Sequence, residues 1–206
     1  MTREWDLFIE SVESPSREWS NSFDCAALST LHGEERERAI EMLLLRMSVG
    51  DWRASRALGR LSDPRVRTAL EAHLPEATEH DKMATANALL QQSPDHAAAI
   101  EAVKQGLASA EILESSEALN AAELVGKPIL DDLLATAVTQ PRERMRIGAI
   151  KLALFLTGVN KSRMVWDHRE LIVGLATGDA DERRRSFAKL CALMSVDLTD
   201  YRGPRP

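Results

Sequence analysis

Apolar residues recur along this chain at the spacing of an α-helix. Asp63 stands directly before Pro64, which is a typical helix start with aspartate as the N-cap and proline as the first helical residue. Apolar or half-apolar residues then follow two, five, six and nine positions after the proline, at Val66, Ala69, Leu70 and His73. Because this spacing places side chains along one side of a helix, it predicts an amphipathic helix from Pro64.

The same offsets recur from three later origins, which are Pro94, Pro128 and Trp166. They give three further stripes: His96, Ala99, Ile100 and Val103; Leu130, Leu133, Leu134 and Ala137; His168, Leu171, Ile172 and Leu175. Each stripe follows another helical pattern: Ala54, Ala57, Leu58 and Leu61; Met83, Ala86 and Leu90; Ala118, Ala121, Ala122 and Val125; Met145, Ala149, Leu152, Ala153 and Leu156. The chain therefore repeats a pair of helices joined by a turn.

A helical pair that recurs every 30 to 38 residues is typical of an α-solenoid. One pair cannot bury its own apolar stripe, and stacking of several pairs makes a continuous core. We predict an all-α fold, namely an α-solenoid of about four helical pairs with capping helices at both ends. The chain is expected to form a single domain, 1–206, with N-terminal capping helices in 1–33, repeats in 34–196 and a flexible tail in 197–206.

Further helices are predicted outside the four pairs. At the N-terminus, helices are expected over about 3–13, over a second segment that stops at Gly33, and over a third that ends before Gly50, since glycine is a common helix terminator. A last helix carries Phe187, Leu190, Cys191 and Met194 at helical spacing.

The segment "RASRALGRLSDPRVRTAL" resembles a HEAT repeat of the short bacterial type. The resemblance rests on an Ala-Leu-Gly-x-Leu helix, an Asp-Pro-Arg turn, and valine and leucine on the second helix: Ala57, Leu58, Gly59, Leu61, Asp63, Pro64, Arg65, Val66 and Leu70. The match is specific for this unit and weak for the other three, and the resemblance extends over 34–196. It implies a curved stack whose second helices line a concave face. HEAT domains are chiefly binding scaffolds, so the fold constrains function poorly.

Composition supports the helical class and suggests a basic partner. Of the 206 residues 44% are apolar but only 4% are aromatic, which favours close-packed helices rich in alanine and leucine. The net charge of −6 is uneven: 1–50 and 111–140 are strongly acidic, whereas 141–206 are basic. Acidic regions disfavour binding along a nucleic-acid backbone and favour a basic partner, although a solvated acidic surface explains them equally well.

The two cysteines, Cys25 and Cys191, lie within apolar patterns and are expected to be small buried side chains rather than a disulfide. The first residues, "MTREWDLFIE", lack the basic start and apolar run of a signal peptide, and no apolar run has membrane-spanning length. We therefore expect a cytoplasmic protein that does not bind membranes.

No set of residues indicates catalysis, a metal or a cofactor. The five histidines form no helical zinc pair, and His73 and His96 on the apolar stripes are expected to be partly buried and hydrogen-bonded. Asp81, near the start of a predicted helix, is expected to be a cap. The cluster Asp167 to Glu170 is the most compact ionisable group and could support an enzyme. The basic run of Arg183, Arg184, Arg185 and Lys189 could touch nucleic acid, but a solvated terminal helix face is the preferred interpretation.

The candidate partner-binding residues are polar or aromatic positions off the apolar stripes: Glu71, Glu101, Asp131, Asp132, Trp166 and Glu170. The resemblance to HEAT proteins implies a protein-binding scaffold, and among compact acidic members a bacterial immunity protein that occludes the active site of a cognate, basic toxin. The resemblance leaves two alternatives. One is a HEAT-like enzyme such as a nucleic-acid glycosylase or a chromophore lyase, and the other is an assembly adaptor. A basic concave groove with Trp166 on it would favour the enzyme, whereas an acidic groove would favour the binding protein.

Overall fold

The computed structural model describes residues 1–13, 22–109, 112–163, 167–177, 179–199, 201 and 203–204. All regular secondary structure in these ranges is helical, which confirms the all-α class. The helices are α1 (Arg3–Glu13), α2 (Cys25–Thr30), α3 (Gly33–Ser48), α4 (Trp52–Leu58), α5 (Pro64–His73), α6 (Glu79–Gln92), α7 (Ala97–Ala108), α8 (Ile112–Val125), α9 (Leu130–Thr139), α10 (Glu143–Leu156), α11 (Arg169–Ala176) and α12 (Ala180–Leu193). A 3₁₀ turn, Lys127–Ile129, leads into α9.

Aspartate side chains begin several of these helices. Asp24, Asp51, Asp63 and Asp179 each accept a hydrogen bond from a backbone N–H of the first turn, which satisfies a group that has no partner within the helix. At Asp63 the distance from Oδ1 to the Arg65 nitrogen is 2.9 Å, and Pro64 is the first helical residue. The predicted start of α5 is therefore confirmed.

The structure corrects the boundary at Gly33. The sequence predicts that a helix stops there, but α2 already ends at Thr30 and Gly33 is the first residue of α3. Leu31 lies between the two helices in an extended conformation and is 1% exposed. Burial of this leucine interrupts the helix, and the φ of +53° at Gly33 then turns the chain into α3.

Helix α7 begins at Ala97 and not next to Pro94. The residues after Pro94 form a turn in which Ser93 Oγ donates to Asp95 Oδ1 at 2.6 Å. His96 then accepts a hydrogen bond at Nδ1 from the backbone nitrogen of Ala99 at 3.2 Å. The His96 ring satisfies a first-turn N–H in this way, and with 14% of its side chain exposed it is the partly buried, hydrogen-bonded histidine that the sequence predicts.

The chain divides into two compact units, Met1–Ala102 and Val103–Pro206. In the first unit α1 packs on α2, α3 packs against α4 and α5, and α6 also packs against α4 and α5. Its fully buried side chains come from all of these helices: Phe8, Leu28, Ile40, Leu43, Leu58, Leu70 and Leu89. The prediction of a single domain stays a prediction.

The second unit is organised around α10, which packs against α8, α9 and α11, while α12 packs on α11. Its buried side chains include residues of the predicted stripes: Ala121, Leu133, Leu134, Ala149, Ala153, Leu175 and Leu190. Tyr201, near the C-terminus, is 4% exposed, with its ring centroid 5.4 Å from that of Phe187. Within the described ranges no helix combines the length and apolarity that crossing a bilayer requires.

Polar contacts connect helices that have one other helix between them in the sequence. In the first unit Arg65 Nη2 lies 2.8 Å from Glu37 Oε2, and His96 Nε2 lies 3.3 Å from Glu71 Oε1. In the second unit Lys104 Nζ lies 4.0 Å from Asp132 Oδ2. These partners are 25 to 28 residues apart, so each contact spans the helix that lies between them in the sequence.

Candidate functional site

The predicted partner-binding residues of the first unit lie on α5 and α7. Glu71 is exposed on α5 and pairs with Arg67 Nε at 3.0 Å and with His96 Nε2 at 3.3 Å. The hydrogen bond from Arg67, helped by the one from His96, lowers the pKa of Glu71. Glu101 is exposed on α7. The carboxylate of Glu71 is thus already paired within its own unit.

Three more of the predicted acids lie in the second unit. Asp131 and Asp132 occupy the first turn of α9, where carboxylates favour the positive end of the helix dipole. Asp131 is exposed, whereas Asp132 is half-buried and lies near Lys104. Glu170 is exposed in the first turn of α11. Among the residues with described positions, the carboxylates of Asp131 and Glu170 have no hydrogen-bond or ion-pair partner. Trp166 lies outside the described residues.

The ionisable cluster from Asp167 to Glu170 does not bring its side chains into contact with one another in the described structure. Asp167 is exposed, and His168 is half-buried at the N-cap of α11, where its side chain accepts no hydrogen bond from the backbone of the first turn. In the basic run of α12, Arg184 is exposed and pairs with Asp181 at 2.8 Å. Over the described stretches of the chain, no group of three or more His, Cys, Asp or Glu side chains could hold a metal ion.

Asp81 is a buried carboxylate that the sequence interpretation placed wrongly. It is 1% exposed, and Thr78, not Asp81, is the N-cap of α6. Its Oδ1 accepts a hydrogen bond from Ser55 Oγ at 2.7 Å, and its Oδ2 lies 2.5 Å from His73 Nε2. Asp81 is the third residue of α6 and faces α4 and α5, so its carboxylate connects three helices rather than capping one.

The arrangement around Asp81 is not that of a nucleophile and its base. In a catalytic triad the histidine stands between the hydroxyl and the carboxylate, so that it can take the proton of the hydroxyl. Here the carboxylate stands between Ser55 and His73 and accepts from both. His73 is confirmed as a partly buried, hydrogen-bonded histidine, with 16% of its side chain exposed. The cluster therefore supports the packing of the first unit.

A cavity of about 350 Å³ opens in the second unit between α8 and α10. Its apolar wall consists of Leu119, Met145 and Gly148. The end of the Leu119 side chain lies over Gly148, because a Cβ at this glycine would lie 2.6 Å from Leu119 Cδ1. The polar wall consists of Asn120 and three arginines: Arg142, Arg144 and Arg163.

The three arginines have different surroundings. Arg163 donates from Nη1 to Glu123 Oε2 at 2.6 Å and from Nη2 to Asn120 Oδ1 at 2.9 Å. Arg142 is half-buried, and its Nη1 is buried without a hydrogen-bond partner among the described residues. Arg144 is exposed, and among the described residues it has no ion-pair partner. No acidic residue belongs to the described lining.

Sequence reasoning missed this cavity, because its walls come from segments about 20 residues apart that show no common spacing. The available signal was the segment "PRERMR", which places alternate arginines at the start of a helix. In the sequence these arginines counted only as part of a basic last third.

The two cysteines form no disulfide, as the sequence predicts. Burial raises the pKa of the Cys25 thiol, and the positive charges of Arg60 and Arg56 oppose this effect.

Comparison with known proteins finds no protein-family model, no curated protein and no solved structure that matches this chain.

Proposed function

We propose that this chain is a cytoplasmic, HEAT-like helical-repeat protein that binds a basic protein through exposed carboxylates on its second helices. The helical pairs and the polar contacts across an intervening helix support a repeat architecture within each unit. Such stacks present extended surfaces, and their usual use is protein binding. The resemblance of the segment around Pro64 to HEAT repeats supports the same assignment.

The observation that carries the proposal is that the carboxylates of Asp131 and Glu170 are exposed and have no partner among the described residues. Glu71 and Asp132, in contrast, already lie near cations of the chain itself. Unpaired surface carboxylates attract a basic partner and accelerate its association, because opposite charges steer the encounter. The proposed binding surface in the second unit therefore centres on Asp131 and Glu170.

In its more specific form, the proposal is that the protein is an immunity protein that covers the basic active site of a toxin. Steric occlusion requires no catalytic group on the inhibitor, and charge steering gives the fast association that an inhibitor needs. An assembly adaptor would use the same surface but would leave the activity of its partner unchanged. The two are distinguished by titrating the partner's activity with this protein.

The test begins with capture of partners by the tagged full chain from its native host, identified by quantitative mass spectrometry. The dissociation constant for the main captured protein is then measured for the wild type and for the double variant Asp131→Lys, Glu170→Lys. We expect binding at least tenfold weaker, with most of the loss in the association rate at low salt.

The matched control is the double variant Glu10→Lys, Glu41→Lys. Both residues are exposed acids of the first unit, so the control has the same change in net charge at another place. If the control weakens binding as much as the Asp131 and Glu170 variant, the effect is one of net charge, and the proposed surface is wrong. A captured partner that is acidic also contradicts the proposal.

A further inference from the structure

The arginine-lined cavity of the second unit is separate in chemistry from the acidic surface and goes beyond the proposed protein binding. We propose that it is a binding site for a small organic phosphate monoester. The phosphate would meet the guanidinium groups of Arg142 and Arg144, and the apolar body of the ligand would lie on Leu119 and Met145.

The charge of the cavity is the first argument. Three arginines line it, and no acid belongs to its described lining. Glu123 balances Arg163 from beside the cavity, which leaves Arg142 and Arg144 without an ionic partner in the described part of the chain. Two uncompensated guanidinium groups favour a dianion over a monoanion, and the planar donors of arginine match the oxygens of a phosphate.

The buried donor of Arg142 is the second argument. Its Nη1 is shielded from solvent and has no hydrogen-bond partner in the described structure. Buried polar groups normally have a partner, so a missing one in a native protein needs an explanation such as an unfilled ligand position. The same residue lines the cavity, and rotation of its guanidinium group would bring this shielded donor to a phosphate bound there.

The shape of the cavity determines the kind of anion. Inorganic phosphate alone would leave the wall of Leu119 and Met145 uncovered. The volume of about 350 Å³ lies at the lower end of the range for small-molecule pockets, and such pockets combine apolar walls with a few convergent polar groups. An organic body the size of a fused ring, bearing one phosphate, fits both walls.

The probe for the test is 1-naphthyl phosphate, titrated into the full chain by calorimetry. Three compounds isolate its parts: 1-naphthol lacks the anion, 1-naphthoate carries a single charge, and inorganic phosphate lacks the body. We expect saturable binding of 1-naphthyl phosphate and at least tenfold weaker binding of the other three. No saturable binding of the naphthyl phosphate at millimolar concentration overturns the proposal. Equal binding of naphthol or of inorganic phosphate also overturns it.

Variants locate the binding in the cavity. Arg144→Gln changes an exposed side chain, so the fold is retained, and we expect at least fivefold weaker binding of 1-naphthyl phosphate. Arg142→Met should abolish the binding without lowering the midpoint of thermal unfolding, because it removes a buried donor that lacks a protein partner. Arg169→Gln, an exposed arginine of α11 outside the described lining, is the charge-matched control. Equal affinities for Arg144→Gln and this control would place any binding elsewhere and refute the assignment.

Discussion

At the scale of single residues, buried polar groups distinguish this protein from a stack of purely apolar helices. Asp81 is the clearest case, since a carboxylate at 1% exposure is retained only where hydrogen bonds compensate for its lost hydration. Ser55 and His73 provide those bonds from two other helices. Removal of the carboxylate leaves Ser55 and His73 without this hydrogen-bond partner. The resulting loss in free energy of unfolding is larger than for the removal of one surface contact.

We therefore predict that Asp81→Ala lowers the free energy of unfolding by about 3 kcal/mol. Urea denaturation followed by circular dichroism measures the change. Asp6→Ala is the control, because Asp6 is exposed on α1 and its removal should change stability by less than about 0.5 kcal/mol. A loss below about 1 kcal/mol for Asp81→Ala would show that the buried cluster contributes little to stability.

Asp63 gives a prediction for pH dependence. The hydrogen bond from the Arg65 side chain, together with backbone hydrogen bonds, lowers the pKa of Asp63 to about 2. An unfolded aspartate titrates near about 3.9, so the native state favours the ionised form. The stabilisation by Asp63 is complete above about pH 4 and is lost as the pH falls towards about 2.

The measurement is the stability difference between the wild type and Asp63→Asn, determined between pH 7 and pH 2. The difference in free energy of unfolding should be constant above about pH 4 and should shrink as the pH falls from about 4 to about 2. A carbon-detected NMR titration of the Asp63 carboxyl group reports the same pKa directly. A midpoint near 4 would contradict the ion pair with Arg65 in solution.

At the scale of helices, close packing depends on small residues at defined positions. Gly59 follows α4 with helical dihedral angles, and a Cβ there would lie 2.6 Å from Ala88 Cα of α6. Backbone cannot move aside, so the two helices would have to separate. Gly148 presents the opposite case, because its Cβ would meet only the mobile end of the Leu119 side chain at 2.6 Å.

The two glycines form a matched pair for mutation. We predict that Gly59→Ala destabilises the protein by about 1–3 kcal/mol, the usual cost of overpacking. Gly148→Ala should be close to neutral, since the gain in helix propensity of about 1 kcal/mol offsets the displacement of Leu119. Urea denaturation of both variants provides the comparison. If Gly59→Ala is as stable as the wild type, α4 and α6 are free to move apart at Gly59 and Ala88 without loss of stability.

The helices themselves were predictable from the sequence, whereas the side-chain contacts between different helices were not. Asp63 and Pro64 specify the start of α5 locally, and the structure confirms it. The residues after Pro94 carry similar local signals, but a turn and the ring of His96 delay the start of α7 to Ala97. The role of Asp81 depends on Ser55, 26 residues away, and no spacing rule relates them. The cavity likewise needs two helices and a following turn.

At the scale of the whole molecule, the chain contains two compact units, each with its own buried core, and the division falls within α7. Proteins of stacked repeats often open in parts, because each helical pair contacts only its neighbours. The sequence predicts one domain, and cooperativity between the units is the property that tests it.

Amide hydrogen exchange of the Asp81→Ala variant makes this test. If each unit opens by itself, exchange should accelerate in α4, α5 and α6 and stay close to that of the wild type in α9, α10 and α12. A uniform acceleration along the chain would instead show one cooperative domain, which is what the sequence predicts. The position of the change, and not its size, decides between these outcomes.

The bond from Ser55 to Asp81 has a consequence for the alignment of α4 with α6 along their axes. The buried residues of these two helices include several alanines, among them Ala54, Ala57, Ala84 and Ala88. Small side chains specify the alignment of two helices weakly, so apart from the close contact of Gly59 with Ala88 little apolar packing opposes a shift by one turn of about 5.4 Å. A buried polar pair is satisfied in just one of these registers, as a buried asparagine is in a coiled coil. We expect the double variant Ser55→Ala, Asp81→Leu to stay helical but to show doubled amide signals from several coexisting alignments.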